Sequence, residues 1–383
     1  MVAGGPGGRD GHPGGLTPTL IVLGGGPSQR HAIDAAHALG VRTVVCDSNP
    51  ARADVAVSSE DLVGVVDVAR RHAADGLIAP GTDWPVRIAA EAAAEAGVAH
   101  PLSPIVAERV TDKLLQRRFL HEAGVAQPAW SLTGPTSYPA AVKPVDRQGQ
   151  RGLSIVGDPG GLAEAEARAR AASRSGTVLY EAWVAGPEVT VNGFVTGDGP
   201  ATVMVTDRVH FADAPGVCEM HVFPAGGGAD AAARVAATAV AALGVEAGPT
   251  YVQLVLGPDG PVVMEVAARL GGGHDSELAR RVTGVDLAGA AVRAAMGMVV
   301  EPAALRPQRA AAGVIRFLRA PEGTLASADG PSGATFYHSP GHVYGPLRVA
   351  TDRAGYVLET APTLQEALER ARTATEAVTF EVR

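Results

Sequence analysis

The chain contains two lysines, Lys113 and Lys143, although lysine and arginine together number 32. All the other basic residues are arginine, so two ammonium groups persist against a strong compositional bias. A lysine ammonium contacts phosphate oxygens as a compact point charge, whereas an arginine guanidinium prefers a planar, two-pronged contact. We therefore expect both lysines to bind nucleotide phosphates; the alternative is that they survived the bias by chance.

A second group of polar residues lies in the segment YVQLVLGPDGPVVMEVAARLGGG. The pattern predicts a β-hairpin with its turn at residues 257–260, which places Gln253 and Glu265 on adjacent strands facing one site. Amide and carboxylate oxygens are ligands that Mg²⁺ accepts together with phosphates, and Arg269 could offset negative charge on a transferred group. The alternative is a surface hairpin with an ordinary Glu–Arg ion pair.

The first part of the chain must fold into an element that supports these groups. TLIVLGGG, VRTVVCDS and GLIAPGTD are typical of buried strands, and HAIDAAHALG, DLVGVVDVARRHAAD and PVRIAAEAAAEAG are typical of helices. This alternation predicts a parallel sheet with helices on its faces. We expect an α/β domain over residues 19–103, preceded by a disordered extension, residues 1–18.

A glycine turn, Gly24–Gly26, follows the first strand and invites comparison with dinucleotide-binding loops. Asp47 lies about 20 residues further on, where such a loop has its ribose-binding acid. However, Gln29 occupies the position of the third glycine in that motif. We favour the alternative, in which the glycines let the first helix pack closely on its strand.

Residues 104–300 are expected to form a separate α+β domain that carries both polar groups. The segment VTDKLLQRRFLHEAGV predicts one amphipathic helix, with Val110, Leu114 and Leu115 at core spacing and Lys113 in its first turns. The next strand, YPAAVKPV, places the second lysine beside the glycine-bearing loop DRQGQRG.

Residues 301–383 alternate short strands with turns. They end in a helix whose first residues, Thr363–Glu366, have the capping-box pattern. We expect a small C-terminal α+β domain.

The composition argues against several classes of protein. A formal charge of −8 without a long basic run makes nucleic acid an unexpected partner. No apolar run reaches the roughly 18 residues of a membrane span, and the N-terminus lacks the apolar core of a secretory signal. Cys46 and Cys218 lie far apart and predict no disulfide framework. We therefore expect a cytoplasmic protein.

The order of these segments resembles the ATP-grasp superfamily. The motifs that carry the resemblance are, in chain order, DK, AGV-x-x-P, VKP, a glycine loop, YEAWVAGPEVTV, a glutamine and a glutamate separated by 11 residues, and EVAARLGGGH. Within the superfamily, the chain is most similar to carboxylate–amine ligases of the L-amino-acid ligase kind, because TGVDL and the closing GYVLETAPTLQEAL are also present. The resemblance runs from about Thr19 to the C-terminus. It implies an ATP-grasp fold with a parallel N-terminal domain, a central nucleotide-binding domain and a small C-terminal domain.

The resemblance also implies roles for individual residues in binding ATP and Mg²⁺, for which Mn²⁺ could substitute. For the nucleotide, it implies that Lys113 and Lys143 contact the phosphates, that a mobile loop from Gly149 to Gly152 covers them, and that Glu188 contacts the ribose. The adenine hinge would include Glu181, Ala182 and Val184. For the chemistry, it implies metal ligation by Gln253 and Glu265 and catalytic roles for Arg269 and Lys143. It further implies a homodimer.

A substrate loop is implied by VCEMHVFP, which loosely follows the family pattern E-x-G-H-x-x-P. His221 falls on the histidine of that pattern, whereas Cys218 stands at the acid and Glu219 is displaced by one position. The resemblance implies substrate contacts by Glu219, His221, Arg269 and Gly272.

Three functions remain open at this point. The first is a ligase that activates a carboxylate as an acyl phosphate and joins it to an amine, and the second is a carboxylase that activates bicarbonate. The third is a module that binds Mg-ATP without turnover, which is suggested by Gln253 in place of a glutamate and by Ala267 in place of an asparagine.

Overall fold

The computed structural model describes residues 17–383, so the predicted extension lies outside the described residues except for its last two positions. The first elements form a parallel sheet of order β2–β1–β3, which confirms the predicted topology. Helices cover the sheet, so that two of its strands are buried along their whole length and the third is buried over its last three residues. These elements are β1 (Thr19–Leu23), α1 (Pro27–Ala38), β2 (Arg42–Cys46), α2 (Leu62–Arg71), β3 (Gly76–Ile78) and α3 (Asp83–Ala96).

The glycine turn after β1 serves packing. A Cβ atom built on Gly25 would lie 1.9 Å from the carbonyl oxygen of Arg52, so only glycine fits there. The Asp47 carboxylate accepts a hydrogen bond of 2.9 Å from the Gly25 N–H and is therefore engaged by the turn itself. This geometry agrees with the packing alternative that the sequence favoured.

The predicted single helix around Lys113 is wrong, because two helices meet there: α4 (Pro104–Thr111) and α5 (Lys113–Glu122). The Asp112 side chain accepts a hydrogen bond of 3.0 Å from the Leu115 N–H and so starts a new helix. Lys113 is consequently the first residue of α5, and Val110 belongs to α4. The buried face of α5 consists of Gln116, Arg117 and Leu120.

A small antiparallel sheet of order β4–β7–β5–β6 follows and carries Lys143 on β5. One helix packs on it and covers a small apolar cluster that includes Val142 and Tyr180. The elements are β4 (Trp130–Ser131), β5 (Ala140–Pro144), β6 (Ser154–Val156), α6 (Leu162–Ala172) and β7 (Val178–Ala182).

The central sheet has eight strands, and its hairpin confirms the predicted pairing. Gln253 lies directly opposite Glu265, and the turn lies between the paired residues Gly257 and Gly260. Helices pack against the buried faces of this sheet. The elements are β8 (Glu188–Thr196), β9 (Gly199–Phe211), β10 (Ala214–Phe223), α7 (Ala229–Ala242), β11 (Gly248–Gly257), β12 (Gly260–Ala267), α8 (Asp275–Val282) and α9 (Leu287–Ala295).

The last part of the chain contributes to two sheets. β13 pairs with β10, so the central sheet, of order β12–β11–β8–β9–β10–β13–β17–β15, continues past residue 300, where the sequence placed a domain boundary. β16, β14 and β18 form a separate small sheet. The elements are β13 (Ala312–Leu318), β14 (Gly323–Asp329), β15 (Ala334–Phe336), β16 (Val343–Tyr344), β17 (Gly355–Ala361), α10 (Leu364–Glu376) and β18 (Thr379–Val382).

Two further findings concern sequence expectations. The Thr363 hydroxyl accepts a hydrogen bond of 3.3 Å from the Glu366 N–H and caps α10, as the capping-box pattern indicated. Within residues 17–383, no helix combines the length and the hydropathy that crossing a bilayer requires.

Candidate active site

A cavity of about 890 Å³ lies between the small sheet, the central sheet and the N-terminal domain. Most of the residues that the sequence singled out line it, although they come from ten separate elements and loops. Gly152 and Glu219 are not part of the lining. Gly152 packs against Ala172, and the Glu219 carboxylate accepts a hydrogen bond of 2.8 Å from Arg316. The lining includes Lys113, Lys143, Gly149, Glu181, Ala182, Val184, Glu188, His221, Gln253, Glu265, Arg269 and Gly272.

The cavity is positively charged, although the whole chain is negative. In the described chain its lining has eight lysine or arginine side chains against four carboxylates, whereas the formal charge of the sequence is −8. A cleft lined by one sign of charge raises the local concentration of the opposite ion. The cavity is therefore suited to a polyanion such as a nucleoside triphosphate.

The lysine end of the cavity, which we define by Lys113, Lys143, Glu181 and Glu265, is built from two ion pairs in which Glu181 is buried and the other three side chains are partly exposed. Lys143 Nζ lies 2.7 Å from Glu181 Oε2, and Lys113 Nζ lies 2.9 Å from Glu265 Oε1. The Lys113 ammonium also donates to the carbonyl of Arg147 at 2.6 Å. Each lysine thus has its own carboxylate at the cavity wall.

Arg117, on the buried face of α5, fixes one of these pairs from behind. Its Nε donates to Glu181 Oε1 at 2.7 Å, and its two terminal nitrogens donate to the carbonyls of Val263 and Met264 at 3.1 and 2.5 Å. Arg117 and Glu181 are each 1% exposed. The guanidinium therefore anchors the Glu181 carboxylate to β12 while leaving Oε2 for Lys143.

These contacts shift the pKa values of the four groups. Burial disfavours the Glu181 and Glu265 carboxylates, but the adjacent cations outweigh it and lower both pKa values. Burial also lowers the pKa of Lys143, and Arg117 adds to this, so the pKa stays below its ordinary value despite Glu181. For Lys113 the Glu265 carboxylate outweighs burial and raises the pKa. The carboxylates are thus anions that hold the two ammonium groups in place.

The predicted adenine hinge borders an apolar slot. Trp183 and Ile155 line the cavity and are 47% and 45% exposed, which is unusual for large apolar side chains. The N–H groups of Ala182 and Trp183 already donate to the carbonyls of Ala129 and Pro139 at 2.8 and 3.0 Å. A planar base in this slot would therefore contact the hinge through groups other than these two donors.

Glu188 has two basic partners beside the hinge. Its Oε2 lies 2.5 Å from Arg208 Nη1 and 3.1 Å from His210 Nε2. Burial alone would raise the pKa of this carboxyl, but His210 and Arg208 hold it below its usual range. Glu188 is therefore an anion at the cavity wall, where its free lone pairs can accept from hydroxyl groups.

Arg269 connects the central sheet to the N-terminal domain. Its Nε and Nη2 donate to the two carboxylate oxygens of Asp83 at 2.7 and 3.0 Å, and Nη1 donates to the Leu270 carbonyl at 2.8 Å. Asp83 is the first residue of α3. This two-pronged contact fixes the guanidinium at the wall of the cavity.

The histidine end of the cavity, which we define by Cys218, His221, His274 and Tyr337, has few ion pairs. His274 Nε2 lies 2.7 Å from the Tyr337 hydroxyl, and their rings stack with centroids 5.7 Å apart. Burial lowers the pKa of His274 to about 4, so its imidazole is neutral at neutral pH. The two ends thus differ sharply in charge.

The charged residues of the site that sequence reasoning missed include Arg117, Asp83 and Asp275, and the cavity wall adds Arg52, Arg208 and Arg353. Arg117 lies three positions before the buried Leu120 on α5, and this helical spacing was the available signal. Asp83 follows the carboxyl end of a parallel strand, where ligands of α/β domains bind. Asp275 follows directly after the EVAARLGGGH segment and starts α8.

The lining is chemically compatible with magnesium and a triphosphate. Gln253 and Glu265 offer an amide and a carboxylate oxygen from adjacent positions of the hairpin, which are hard ligands of the kind Mg²⁺ prefers. Among residues 17–383, no cluster of three or more His, Cys, Asp and Glu side chains could hold a metal without help. A metal at this pair would accordingly need phosphate oxygens or water to complete its coordination.

Comparison with protein families identifies two parts of the chain. Residues 136–277 match the model of the ATP-grasp domain, and residues 316–383 match that of the L-amino acid ligase C-terminal domain 2. The chain contains an ATP-grasp domain joined to an L-amino acid ligase C-terminal domain. The family resemblance drawn from the motifs is thereby confirmed.

Solved structures share the fold over almost the whole chain, which confirms the expected mixed α/β ATP-grasp fold. The L-amino acid ligase from Bacillus licheniformis superposes with a TM-score of 0.81 at 19% identity, covering 96% of this chain and 99% of that chain. The biotin carboxylase domain of 2-oxoglutarate carboxylase from Hydrogenobacter thermophilus, solved with Mg-ADP and bicarbonate, superposes with a TM-score of 0.78 at 18% identity. That match covers 95% of this chain and 90% of the other.

One curated relative extends the comparison to sequence. The uncharacterized protein y4rH from Sinorhizobium fredii is 28% identical over 297 residues, which is 68% of this chain and 59% of that protein. The chain thus spans a little more than half the length of this relative. By domain content and fold, the protein resembles L-amino acid ligases of the ATP-grasp family.

Proposed function

We propose that the protein is an ATP-dependent ligase that joins a carboxylate, such as an amino acid, to an amine and releases ADP and phosphate. The observation that carries this proposal is the lysine end, where two lysines and their carboxylates line a positively charged cavity beside the Gln253–Glu265 pair. The match of residues 316–383 to an L-amino acid ligase domain supports an amino acid as the acid.

The lysine end would hold the triphosphate. Lys143 and Lys113 would exchange part of their contact with Glu181 and Glu265 for phosphate oxygens, and Gln253 and Glu265 would hold Mg²⁺. Bound there, the metal would neutralise charge on the phosphates during transfer. Burial and Arg117 lower the pKa of Lys143, so a phosphate anion bound beside it would stabilise the charged ammonium form.

Arg269 would stabilise the acid during its activation. A substrate carboxylate oxygen attacks the γ-phosphate to give an acyl phosphate, and the amine then attacks the acyl carbon and expels phosphate. Held by Asp83 and Leu270, Arg269 is already positioned, so little reorganisation is needed when charge develops. The 145–153 loop, which carries Gly149, would cover the site and exclude water that hydrolyses the intermediate.

The test is a search for the substrate pair. The protein is incubated with Mg-ATP and pairs of the twenty proteinogenic L-amino acids, ADP and phosphate are quantified, and products are weighed by mass spectrometry. We expect ADP, phosphate and a condensed product in equal amounts for at least one pair. A parallel set with bicarbonate and no amino acid tests the carboxylase alternative.

The outcomes separate the three candidate functions. ADP release that requires bicarbonate would replace the ligase by a carboxylase. Calorimetric binding of Mg-ATP without ADP formation under any condition would support a module that only binds the nucleotide. A Glu265→Gln variant is the matched control, because it keeps the size of the side chain while removing the anion that would hold magnesium.

A further inference from the structure

A cysteine, a histidine and an aspartate lie in line, with the cysteine and the histidine at the wall of the cavity. Cys218 Sγ is 3.5 Å from His221 Nε2, and His221 Nδ1 is 3.5 Å from Asp275 Oδ1. The three residues are 4%, 2% and 0% exposed. A nucleophile next to a base that is next to an orienting acid is the arrangement used for covalent acyl transfer.

We propose that Cys218 accepts the activated acyl group as a thioester before the amine attacks. This proposal rests on the ligase function proposed above, which supplies the acyl phosphate. It assigns the thiol a catalytic role, His221 the role of its base, and Asp275 the role of orienting the imidazole.

The backbone places this trio next to the activated acid. A Cβ atom built on Gly273 would lie 2.6 Å from His221 Nε2, so glycine is required for the imidazole to occupy its position. Gly273 is four residues after Arg269, and both line the same cavity as Cys218. Cys218 therefore lines the same cavity as Arg269, which is proposed to stabilise the acid during its activation.

The surroundings favour the reactive form of the thiol. Burial raises the pKa of Cys218, but the adjacent His221 outweighs it and lowers the pKa below its ordinary value. Burial lowers the pKa of His221, but the Asp275 carboxylate and Cys218 together raise it. His221 Nδ1 is buried without a hydrogen-bond partner in the described chain, and a small rotation toward Asp275 would complete the trio.

The step balances in atoms and charge. His221 removes the thiol proton, Sγ attacks the acyl carbon, the carbon–oxygen bond to phosphate breaks, and phosphate leaves as hydrogen phosphate with the proton from His221. The amine then attacks the thioester carbon, the carbon–sulfur bond breaks, and the amine proton passes through His221 back to sulfur. No oxidant or reductant is consumed.

The chain provides its own control, because its other cysteine, Cys46, is fully buried on β2 and does not line the cavity. Burial raises the pKa of Cys46 to about 11. With iodoacetamide on the native protein, we expect Cys218 to alkylate at least about tenfold faster than Cys46, as peptide mass mapping would show. A His221→Asn variant should remove this difference, and equal labelling of both cysteines in the native protein would overturn the proposal.

The second measurement looks for the thioester itself. The full-length protein is mixed with stoichiometric Mg-ATP and each L-amino acid in turn, quenched in acid and weighed intact. We expect an adduct of one aminoacyl group on Cys218 that neutral hydroxylamine removes. The adduct should persist in Cys46→Ala and be absent from Cys218→Ala and from the nearly isosteric Cys218→Ser.

The results distinguish this proposal from the ligase function on which it rests. If ADP and product form but no adduct is detected, the thioester is overturned and the ligase stands; the same holds if Cys218→Ala turns over within about twofold of the wild type. If no ADP forms with any acid while Cys218 is selectively alkylated, the ligase function fails and the thiol must serve another acyl donor.

Discussion

The two ends of the cavity solve the problem of buried polar groups in different ways. At the lysine end, four charged groups are paired within 2.9 Å and a fifth, Arg117, anchors them to the backbone of β12. At the histidine end, neutral or weakly paired rings stack, and the His221–Asp275 distance is 3.5 Å. Strongly paired charges hold one geometry, whereas loosely paired groups can change protonation state during a reaction. This difference agrees with a positioning role for the lysine end and with the proton transfer that we propose for the histidine end.

The largest expected effect comes from removing the anchor of the lysine end. Arg117→Met leaves Glu181 buried with only one cation, and we expect the free energy of unfolding to fall by about 3–5 kcal/mol. Urea unfolding followed by circular dichroism measures it. The matched control is Arg71→Met, which breaks an exposed ion pair with Asp67 and should cost less than about 1 kcal/mol. Equal losses in both variants would contradict the anchoring role.

A pH dependence follows from Glu181. Burial would raise its pKa, but Arg117 and Lys143 lower it from 4.5 to about 2 in the folded protein. Because the folded state binds the proton less readily, the stabilisation is fully present above pH 4.5 and is lost as the pH falls toward 2. The shift corresponds to about 3 kcal/mol, of which about 2 should be lost by pH 3.

The measurement compares urea unfolding at pH 5 and pH 3 for the wild type and Glu181→Gln. The variant should show a smaller loss between the two pH values than the wild type does. Parallel losses in both proteins would mean that other carboxyl groups cause the acid sensitivity.

The third prediction sharpens the argument about the lysines. Lys143→Arg keeps the charge but places a larger, planar group against Glu181, and we expect kcat/KM for ADP formation to fall about a hundredfold. Unfolding free energy should change much less than activity. Arg118→Lys, an exposed basic swap on the neighbouring helix α5, is the control and should leave turnover unchanged. Wild-type turnover in Lys143→Arg would refute the steric argument.

The smallest effect is expected at the histidine end. Tyr337→Phe removes the hydroxyl that lies 2.7 Å from His274 Nε2 but keeps the stacked ring. We expect a loss of about 1 kcal/mol in unfolding free energy, measured as for Arg117. Tyr138→Phe, in a different apolar cluster, serves as the comparison. A loss of unfolding free energy as large as that of Arg117→Met would contradict the expectation that the histidine end contributes less to stability than the lysine end.

Sequence alone singled out the two lysines and the Gln253–Glu265 pair because they follow local rules, whereas Glu181 was expected at the adenine hinge and not as the partner of Lys143. The hairpin period places Gln253 opposite Glu265, and the predicted strand YPAAVKPV contains the observed strand Ala140–Pro144. The helix break at Asp112 was missed because an aspartate inside an apolar repeat can be either a surface residue or a cap, and only tertiary contacts decide between them.

The anchors could not be predicted in the same way, because their partners are remote in sequence. Arg117 bonds to residues 64, 146 and 147 positions away, and Arg269 bonds to Asp83 across 186 positions. No periodicity encodes such pairs. Glu219 was expected at the site only from the loose resemblance of VCEMHVFP to the family's substrate loop, and in the structure it pairs with Arg316 and does not line the cavity.

The pairing of β13 with β10 has a practical result for anyone who wishes to cut the molecule into pieces. A polypeptide stopped near residue 300 would leave the end of β10, from Met220 to Phe223, with free backbone groups along one side. Unpaired strand edges can pair with strands of other chains and lead to aggregation. Arg353, which lines the cavity from the same C-terminal stretch, would also be lost. Activity measured on a shortened form would therefore come from a protein with an unpaired central strand and an incomplete cavity.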